Sequence, residues 1–425
     1  MTAIRLVHAA DLHLDTPFEG ISRPAPDVAR ALRDASLAAW DNLVDFALAQ
    51  NVHAMLLAGD IYDGAERGLR AQLRVLAGLS RLSAAGVSTF IVHGNHDPLD
   101  GWAAIREWPA RVHVFAANSV ESVPLLIEGQ AAATVHGISH SRRHVTENLA
   151  SGFHRTAAAG AHIGLLHATV GSSGDHEVTA PCSLAHLEAA GLDYWALGHI
   201  HARAVLRASH PCVVYAGNIQ GRSPKPSELG AKGAYLVELD SQGDVLGLEF
   251  HALDRVRFVE LRLDVGQYRD LPALHGALLD GLEKLRDEHA GRGLVVRVVL
   301  EGRGTVVADL RHADALEQLR DDLRAHFAAH APFVWVENVL DRAASVLDMQ
   351  ALRDRSDFPA AVLALSERLR DNPQELLAFV TECGAQLTRG QVGRVLRDIP
   401  EEDVDSILSE AVALAIDRLT LNGES

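Results

Sequence analysis

Through residue 254, short apolar runs bounded by Gly, Asp or Asn alternate with stretches of helical spacing. IRLVHAA, AMLLAG, STFIVHG, VHVFA, PLLIEG, AATVHGI, HIGLLHA, YWALGHI, CVVYAG, AYLVELD and LGLEFHAL all read as buried or half-buried strands. Between Asp27 and Gln50, helical spacing puts Leu32, Leu37, Trp40, Leu43, Val44 and Ala47 near one face. Residues 66–85 read as a second helix, ending near Gly86. Helices among the early strands and a strand-rich second half predict an α/β layered domain.

From about residue 255 the pattern resets. RFVELRLDV, GLVVRVVLEG and FVWVENV read as strands, separated by the helices LPALHGALLDGLEKLRDEH and DALEQLRDDLRAHFAAH. The result is a compact β-α-β-α-β unit. From about residue 346 the chain reads as helical. Asn372–Pro373–Gln374–Glu375 supplies an N-cap, a Pro at the first helical position and an acid at the third. Further on, Val404, Ile407, Leu408, Ala411, Leu414 and Ala415 fall on one stripe. The expected division is 1–254, 255–345 and 346–425, without repeats or low-complexity tracts.

Composition narrows the classes. Apolar residues make up 48% of the 425 positions, enough for two or three soluble domains. Cys182, Cys212 and Cys383 are scattered without a CxxC pair, which points to a reducing compartment. No apolar h-region opens the sequence and no uncharged run approaches a membrane span, so the expected location is the cytoplasm and no membrane partner is expected. A net charge of −17 disfavours a basic nucleic-acid coat protein. It leaves room for an enzyme acting on nucleic acid, because bound cations can supply local positive charge.

Polar clusters stand at the ends of five apolar runs: Asp11-Leu12-His13, Gly59-Asp60-Ile61-Tyr62-Asp63, Gly94-Asn95-His96-Asp97, His167, and Gly198-His199-Ile200-His201. Open α/β layers gather their sites at such ends. In extended chain, residues i and i+2 point the same way, so Asp11 with His13, and His199 with His201, would each face one point. Asn95 and His96 are adjacent and should do different jobs. Carboxylates, imidazoles and one amide, without a thiolate, suit Mn²⁺, Fe or Zn²⁺ better than an all-oxygen Ca²⁺ site. Seven candidate ligands exceed one four-coordinate metal and suit a pair sharing a carboxylate, typically about 3.5–4 Å apart.

This five-part pattern strongly resembles the calcineurin-like metallophosphoesterases, in the nuclease branch of SbcD and YhaO-type exonucleases. The detailed resemblance covers residues 1 to about 254, and ADLHLDTPF and YAGNIQGR are most like the YhaO type. It implies a layered α/β/β/α sandwich with a small α/β cap domain and a helical C-terminal segment. By the same resemblance, Asp11, His13 and His201 hold one divalent metal, Asn95, His167 and His199 hold the other, and Asp60 bridges them. Mn²⁺ leads as the metal, with Fe or Zn²⁺ as alternatives. His96 is the general acid and Asp97 orients it. Asp63 fills a position where some relatives have His, and is expected beside the site rather than on a metal. Two cations would lower the pKa of a bridging water, and the resulting hydroxide would attack phosphorus in line. His96 would protonate the leaving sugar oxygen.

Each motif alone has a bland reading. Asp and His at i, i+2 occur in many strands, Gly59-Asp60 is a common strand-ending turn, and a lone His167 suits a core. Their joint occurrence, in family order, outweighs those readings. Most of the 23 histidines are not ligands: His8, His53, His93, His136, His140 and His162 carry no assigned role, and His176 reads as an exposed loop residue. Arg222, Lys225 and Lys232 read first as solvated surface charge, with contact to phosphates the lesser reading, strongest for Arg222.

The motifs specify phosphoester hydrolysis, and three function classes follow. The first is a metal-dependent DNA exonuclease of repair. It would work with an SMC-like, SbcC-type ATPase docked on residues 346–425, which have no Lys and more acids than bases. The second is a phosphodiesterase or phosphatase for a nucleotide or other small ester. The third is a non-catalytic binding module, which the intact motif set argues against. Relatives often dimerise through helices of the catalytic domain, which would place a homodimer contact at residues 28–50 or 66–85, although core packing explains the same apolar faces equally well.

Overall fold

A computed structural model describes residues 3–372 apart from 17–25, 65–67, 102–103, 106, 172–176, 313 and 345–348. Beyond 372 it describes only residues 374–376, 378–379, 408, 411–412, 414–416 and 419. The elements run β1 (Ile4–Ala9), α1 (Pro26–Ala49), β2 (Ala54–Ala58), α2 (Leu69–Ala84), β3 (Ser88–Val92), β4 (Val112–Val114), β5 (Glu121–Ile127), β6 (Gln130–Gly137), β7 (Ala161–His167), α3 (Leu184–Ala189), β8 (Tyr194–Gly198), β9 (Ala204–Arg207), β10 (Cys212–Tyr215), β11 (Gly233–Leu239) and β12 (Val245–Ala252). They continue with β13 (Val256–Asp264), α4 (Leu271–Glu288), β14 (Gly293–Glu301), α5 (Val307–Leu310), α6 (Ala315–Phe327), β15 (Val334–Asp341), α7 (Met349–Arg353) and α8 (Phe358–Asp371). The expected β-α-β-α-β order is present from β13 to β15, with the short helix α5 added.

Two compact units form. One comprises Met1–Leu261, Leu282–Arg297 and Asp322–Asn338; the other comprises Arg262–Gly281, Val298–Asp321 and Val339–Ser425.

In the first unit, two six-stranded sheets have the orders β12-β11-β1-β2-β3-β4 and β5-β6-β7-β8-β10-β9. The strands β1 to β4 pair in parallel, as do β6, β7, β8 and β10, while β11, β12, β5 and β9 pair antiparallel. Alternation explains the layering. Leu6, Leu56 and Phe90 point into a core shared with Val135, Ile163, Leu165, Tyr194 and Val214 of the other sheet. Their neighbours Val7, Leu57 and Ile91 point the opposite way, onto Trp40, Leu43, Val75 and Leu79 of α1 and α2. The far face of the second sheet buries Leu166, Trp195, Leu197 and Val213 against Phe153 and Leu187. The layers are therefore α/β/β/α.

Parallel strands run β1, β2, β3 in one sheet and β7, β8 in the other, so five C-terminal ends lie at the same edges of their sheets. Those five ends carry the polar clusters.

In the second unit, Asp357 caps α8 by accepting from Ala360 N at 3.2 Å. Leu352, Leu363 and Ile416 form a buried cluster there with Val412. Leu414 departs from its expected place on the apolar stripe: it is 56% exposed, and Ile416 is buried instead. Asn372 does accept from Glu375 N, at 3.3 Å, as an N-cap would. Pro373, Val404 and Ile407 lie outside the described residues, as does His176. No helix among the described residues is long and apolar enough to cross a membrane.

Candidate metal centre

β1, β2 and β8 stop just short of the clustered polar residues. Asp11 (φ 51°), His13 (φ 42°), Asp60 (φ 51°) and His199 (φ 102°) follow them with positive φ. Non-glycine residues seldom hold that conformation, and it recurs where function requires it. The alternation expected of Asp11 with His13, and of His199 with His201, is thus not what aims them. They lie past the pleat, with left-handed backbone at Asp11, His13 and His199.

Burial and hydrogen bonds then fix the donors. Asp11, His13, Asp60, Asn95, His167 and His199 are all buried, while His201 is half-buried. His167 donates from Nδ1 to the Ala58 carbonyl at 2.9 Å, leaving Nε2 to face Asn95 Oδ1 at 2.9 Å and Asp60 Oδ2 at 3.4 Å. His201 donates from Nδ1 to Glu228 Oε1 at 2.6 Å, and its Nε2 stands 3.1 Å from His13 Nε2. His199 donates from Nε2 to the Glu177 carbonyl at 2.7 Å, leaving Nδ1 as its lone-pair nitrogen. Such outer partners select the tautomer that a metal-binding imidazole needs.

The donor set fits divalent cations. Ligand atoms of Asp11, His13 and His201 all lie within 4.8 Å of one another, as do those of Asp11, Asp60 and His167, and those of His13, Asp63 and His96. With Nδ1–H spent on Ala58, a neutral His167 has only a lone pair to set against the Asn95 oxygen. That contact calls for positive charge. Burial pushes the Asp11 carboxyl up to about 6, even with the His199 N–H donating to it at 2.9 Å. Burial holds the His199 ring down to about 3 and puts His13 well below the usual imidazole range, so both present lone pairs at neutral pH. Burial also works against an ionised Asp60, but His167 beside it holds its carboxyl well below the usual range. Burial works against a charged His167, but Asp60 lifts it to about 9, so a proton on Nε2 can supply the positive charge at Asn95 and a bound cation would displace it.

His96 stands apart, its side chain 30% exposed. Its backbone N–H donates to Asp60 Oδ1 at 2.9 Å, and its ring Nδ1 meets Asp63 Oδ1 at 2.6 Å. The Asp63 hydrogen bond raises the His96 pKa despite partial burial. This corrects the expectation for Asp97. Its carboxylate accepts from Gly94 N at 2.8 Å, Ile61 N at 3.0 Å and His93 Nδ1 at 3.0 Å. Asp97 therefore ties the two loops that carry Asp60 and Asn95, and Asp63 holds the His96 ring. His93 gains a role as its partner, and His140 gains one by donating to the His167 carbonyl at 2.8 Å.

Lys232 is corrected too. Its ammonium is buried and donates to the His201 and Ser227 carbonyls at 2.9 and 2.6 Å, with burial lowering it to about 8. It braces the His201 loop and is not directed at a phosphate. Lys225 is exposed. Arg222 reaches Asp63 Oδ2 at 2.6 Å. Glu228, like His93 and His140, has a part in the site that the sequence did not signal. It is buried, with its carboxyl held down to about 2: His201, Lys232 and Asn218 overcome the burial cost. A single Glu in PSELG carries no spacing signal, and only the folded loop brings it to His201.

Crowding explains the glycine at position 94. A Cβ there would sit 2.2 Å from Asp60 Oδ1 and 2.7 Å from His167 Nε2. Gly94→Ala is therefore expected to weaken divalent-metal binding by at least the roughly 10–100-fold typical of losing a supporting contact. Titration calorimetry checks this; unchanged affinity would show that Asp60 and His167 do not share the ion.

Two stacked mixed sheets with such donors at one edge have the architecture of a metallophosphoesterase. The chain belongs to the calcineurin-like metallophosphoesterase family, hydrolases that use divalent metals. Residues 4–203 match the family model for calcineurin-like phosphoesterase, and residues 258–344 match that for metallophosphoesterase YhaO, middle domain. The chain is 38% identical over 337 residues to the uncharacterized metallophosphoesterase YhaO of Bacillus subtilis (strain 168), covering 79% of this chain and 81% of the other. It is 23% identical over 317 residues to the DNA double-strand break repair protein Mre11 of Sulfurisphaera tokodaii, covering 71% and 75%. It is also 23% identical over 296 residues to the DNA double-strand break repair protein Mre11 of Aeropyrum pernix, covering 66% and 68%.

Proposed function

We propose that this chain is a metal-dependent phosphodiesterase acting on DNA, an exonuclease of repair, with two divalent cations, Mn²⁺ foremost. The observation that carries the reading is the meeting of Asp11, His13, Asp60, Asn95, His167, His199 and His201 beside an acid-competent His96. Asp11, His13 and His201 would hold one ion and Asn95, His167 and His199 the other, with Asp60 between them. When bound, the cations would lower the pKa of a coordinated water and offset phosphate charge. The chain's own residues do the rest. Asp60 fixes His96 through its backbone N–H, and Asp63 keeps the ring protonated on Nδ1. The other ring nitrogen is left to give a proton to the departing sugar oxygen.

DNA as substrate is supported by the names of the two Mre11 relatives, which are DNA double-strand break repair proteins. We assign residues 1–254 to nuclease chemistry, 255–345 to a capping domain and 346–425 to docking of an SMC-like ATPase. Phe358, 67% exposed on α8, suits the last role. A second copy of the chain is the partner proposed for α1 and α2.

The test is digestion of end-labelled linear DNA with added Mn²⁺, beside a chromogenic phosphodiester. Progressive shortening of the DNA is expected. Turnover of the small ester alone would move the substrate to nucleotides or other small esters. Turnover of neither, with metal bound, would leave a binding module.

A further inference from the structure

One loop, residues 216–228, touches both halves of the site. Glu228 Oε1 accepts from His201 Nδ1 at 2.6 Å, while Oε2 accepts from Asn218 Nδ2 at 2.7 Å and from the Arg222 backbone N–H at 3.1 Å. The Arg222 side chain then crosses to Asp63 at 2.6 Å, 159 positions away in sequence, and Asp63 holds His96 at 2.6 Å. An unbroken chain of hydrogen bonds thus runs from a candidate ligand, His201, to the candidate acid, His96. The Arg222 and Asp63 side chains are only 19% and 22% exposed, so this is not a solvent-screened surface pair of little consequence.

Asp63 follows Asp60 on a short loop past β2. Left alone, its carboxylate could turn either oxygen toward His13, whose Nδ1 is 4.0 Å away, or toward His96. The guanidinium occupies Oδ2 and leaves Oδ1 to His96. We propose that Arg222 is a positioning residue for proton donation: it orients Asp63 on His96, and Glu228 sets its reach from the His201 side. The segment YAGNIQGR then has a purpose distinct from phosphate contact. The inference rests on the phosphodiesterase reading above and assigns no new reaction.

The experiment compares two esters of thymidine 5′-monophosphate under saturating Mn²⁺. A phenyl ester needs a proton on its leaving oxygen; a 4-nitrophenyl ester leaves readily without one. Wild type, His96→Ala, Arg222→Ala and Arg222→Lys are compared, with Mn²⁺ binding by calorimetry and thermal unfolding measured on each. For Arg222→Ala we expect kcat on the phenyl ester to fall about 10–100-fold, part of the roughly 10²–10⁴-fold that general acid catalysis supplies. The nitrophenyl ester, KM and Mn²⁺ affinity should change little. Arg222→Lys keeps a cationic donor and should show a smaller loss with the same selectivity, and it carries the test if Arg222→Ala unfolds. Equal losses on both esters, or a rise in KM alone, would overturn the inference while leaving the phosphodiesterase standing, because wild type and His96→Ala would still differ. A wild type that binds Mn²⁺ and turns over neither ester nor end-labelled DNA rejects both.

Discussion

Replacing His96 with Ala is expected to lower DNA cleavage by roughly 10²–10⁴-fold, the range a positioned general acid supplies. Divalent-metal affinity should stay close to that of wild type. The split follows from the geometry. His96 lies one residue beyond Asn95, but its ring points at Asp63 and its side chain is partly exposed, whereas the ring of His167 is sealed inside. The one tie from His96 to Asp60 is a backbone N–H, which Ala retains. Steady-state kinetics and calorimetry on the same preparation check the result. Lost metal binding would make His96 a ligand, and unchanged cleavage would remove the acid role.

Asp60→Asn should have the larger effect, on both binding and turnover. Asp60 Oδ2 lies 3.7 Å from His13 Nε2 and 3.4 Å from His167 Nε2, so one carboxylate faces both groups of donors. Asn keeps the size and an oxygen for the His96 N–H, but removes the charge. A folded chain at 100 times its dissociation constant for a ligand gains about 2.7 kcal/mol. Wild type should show that gain as a rise in unfolding temperature on adding Mn²⁺. Asp60→Asn should show little of it, and its phosphoesterase activity should fall below detection. An Asn variant stabilised by Mn²⁺ as wild type is would mean that Asp60 does not bridge.

Much of this site was legible before folding, because strand-end motifs are local. GNHD, GD and GHIH each announce a stop in an apolar run, and the parallel order of β1, β2, β3, β7 and β8 brings those stops to the same edges. Strand periodicity does not account for how the side chains are aimed, since it describes the pleat, and Asp11, His13 and His199 lie beyond it with positive φ. What stayed hidden was the choice of hydrogen-bond partner. Asp97 is next to His96 in sequence yet accepts from Gly94, Ile61 and His93, whereas Asp63, 33 positions away, takes the ring. Glu228 and Arg222 reach the site through a loop whose path no period encodes. At the other end of the chain, the 3.6-residue stripe placed Leu414 inside, and the fold buried Ile416.

The most direct measurement is anomalous diffraction at the manganese edge from crystals grown with Mn²⁺. Two peaks are predicted, one among Asp11, His13 and His201, the other among Asn95, His167 and His199, with Asp60 touching both. A single peak, or none within reach of these side chains, would contradict the paired-metal centre.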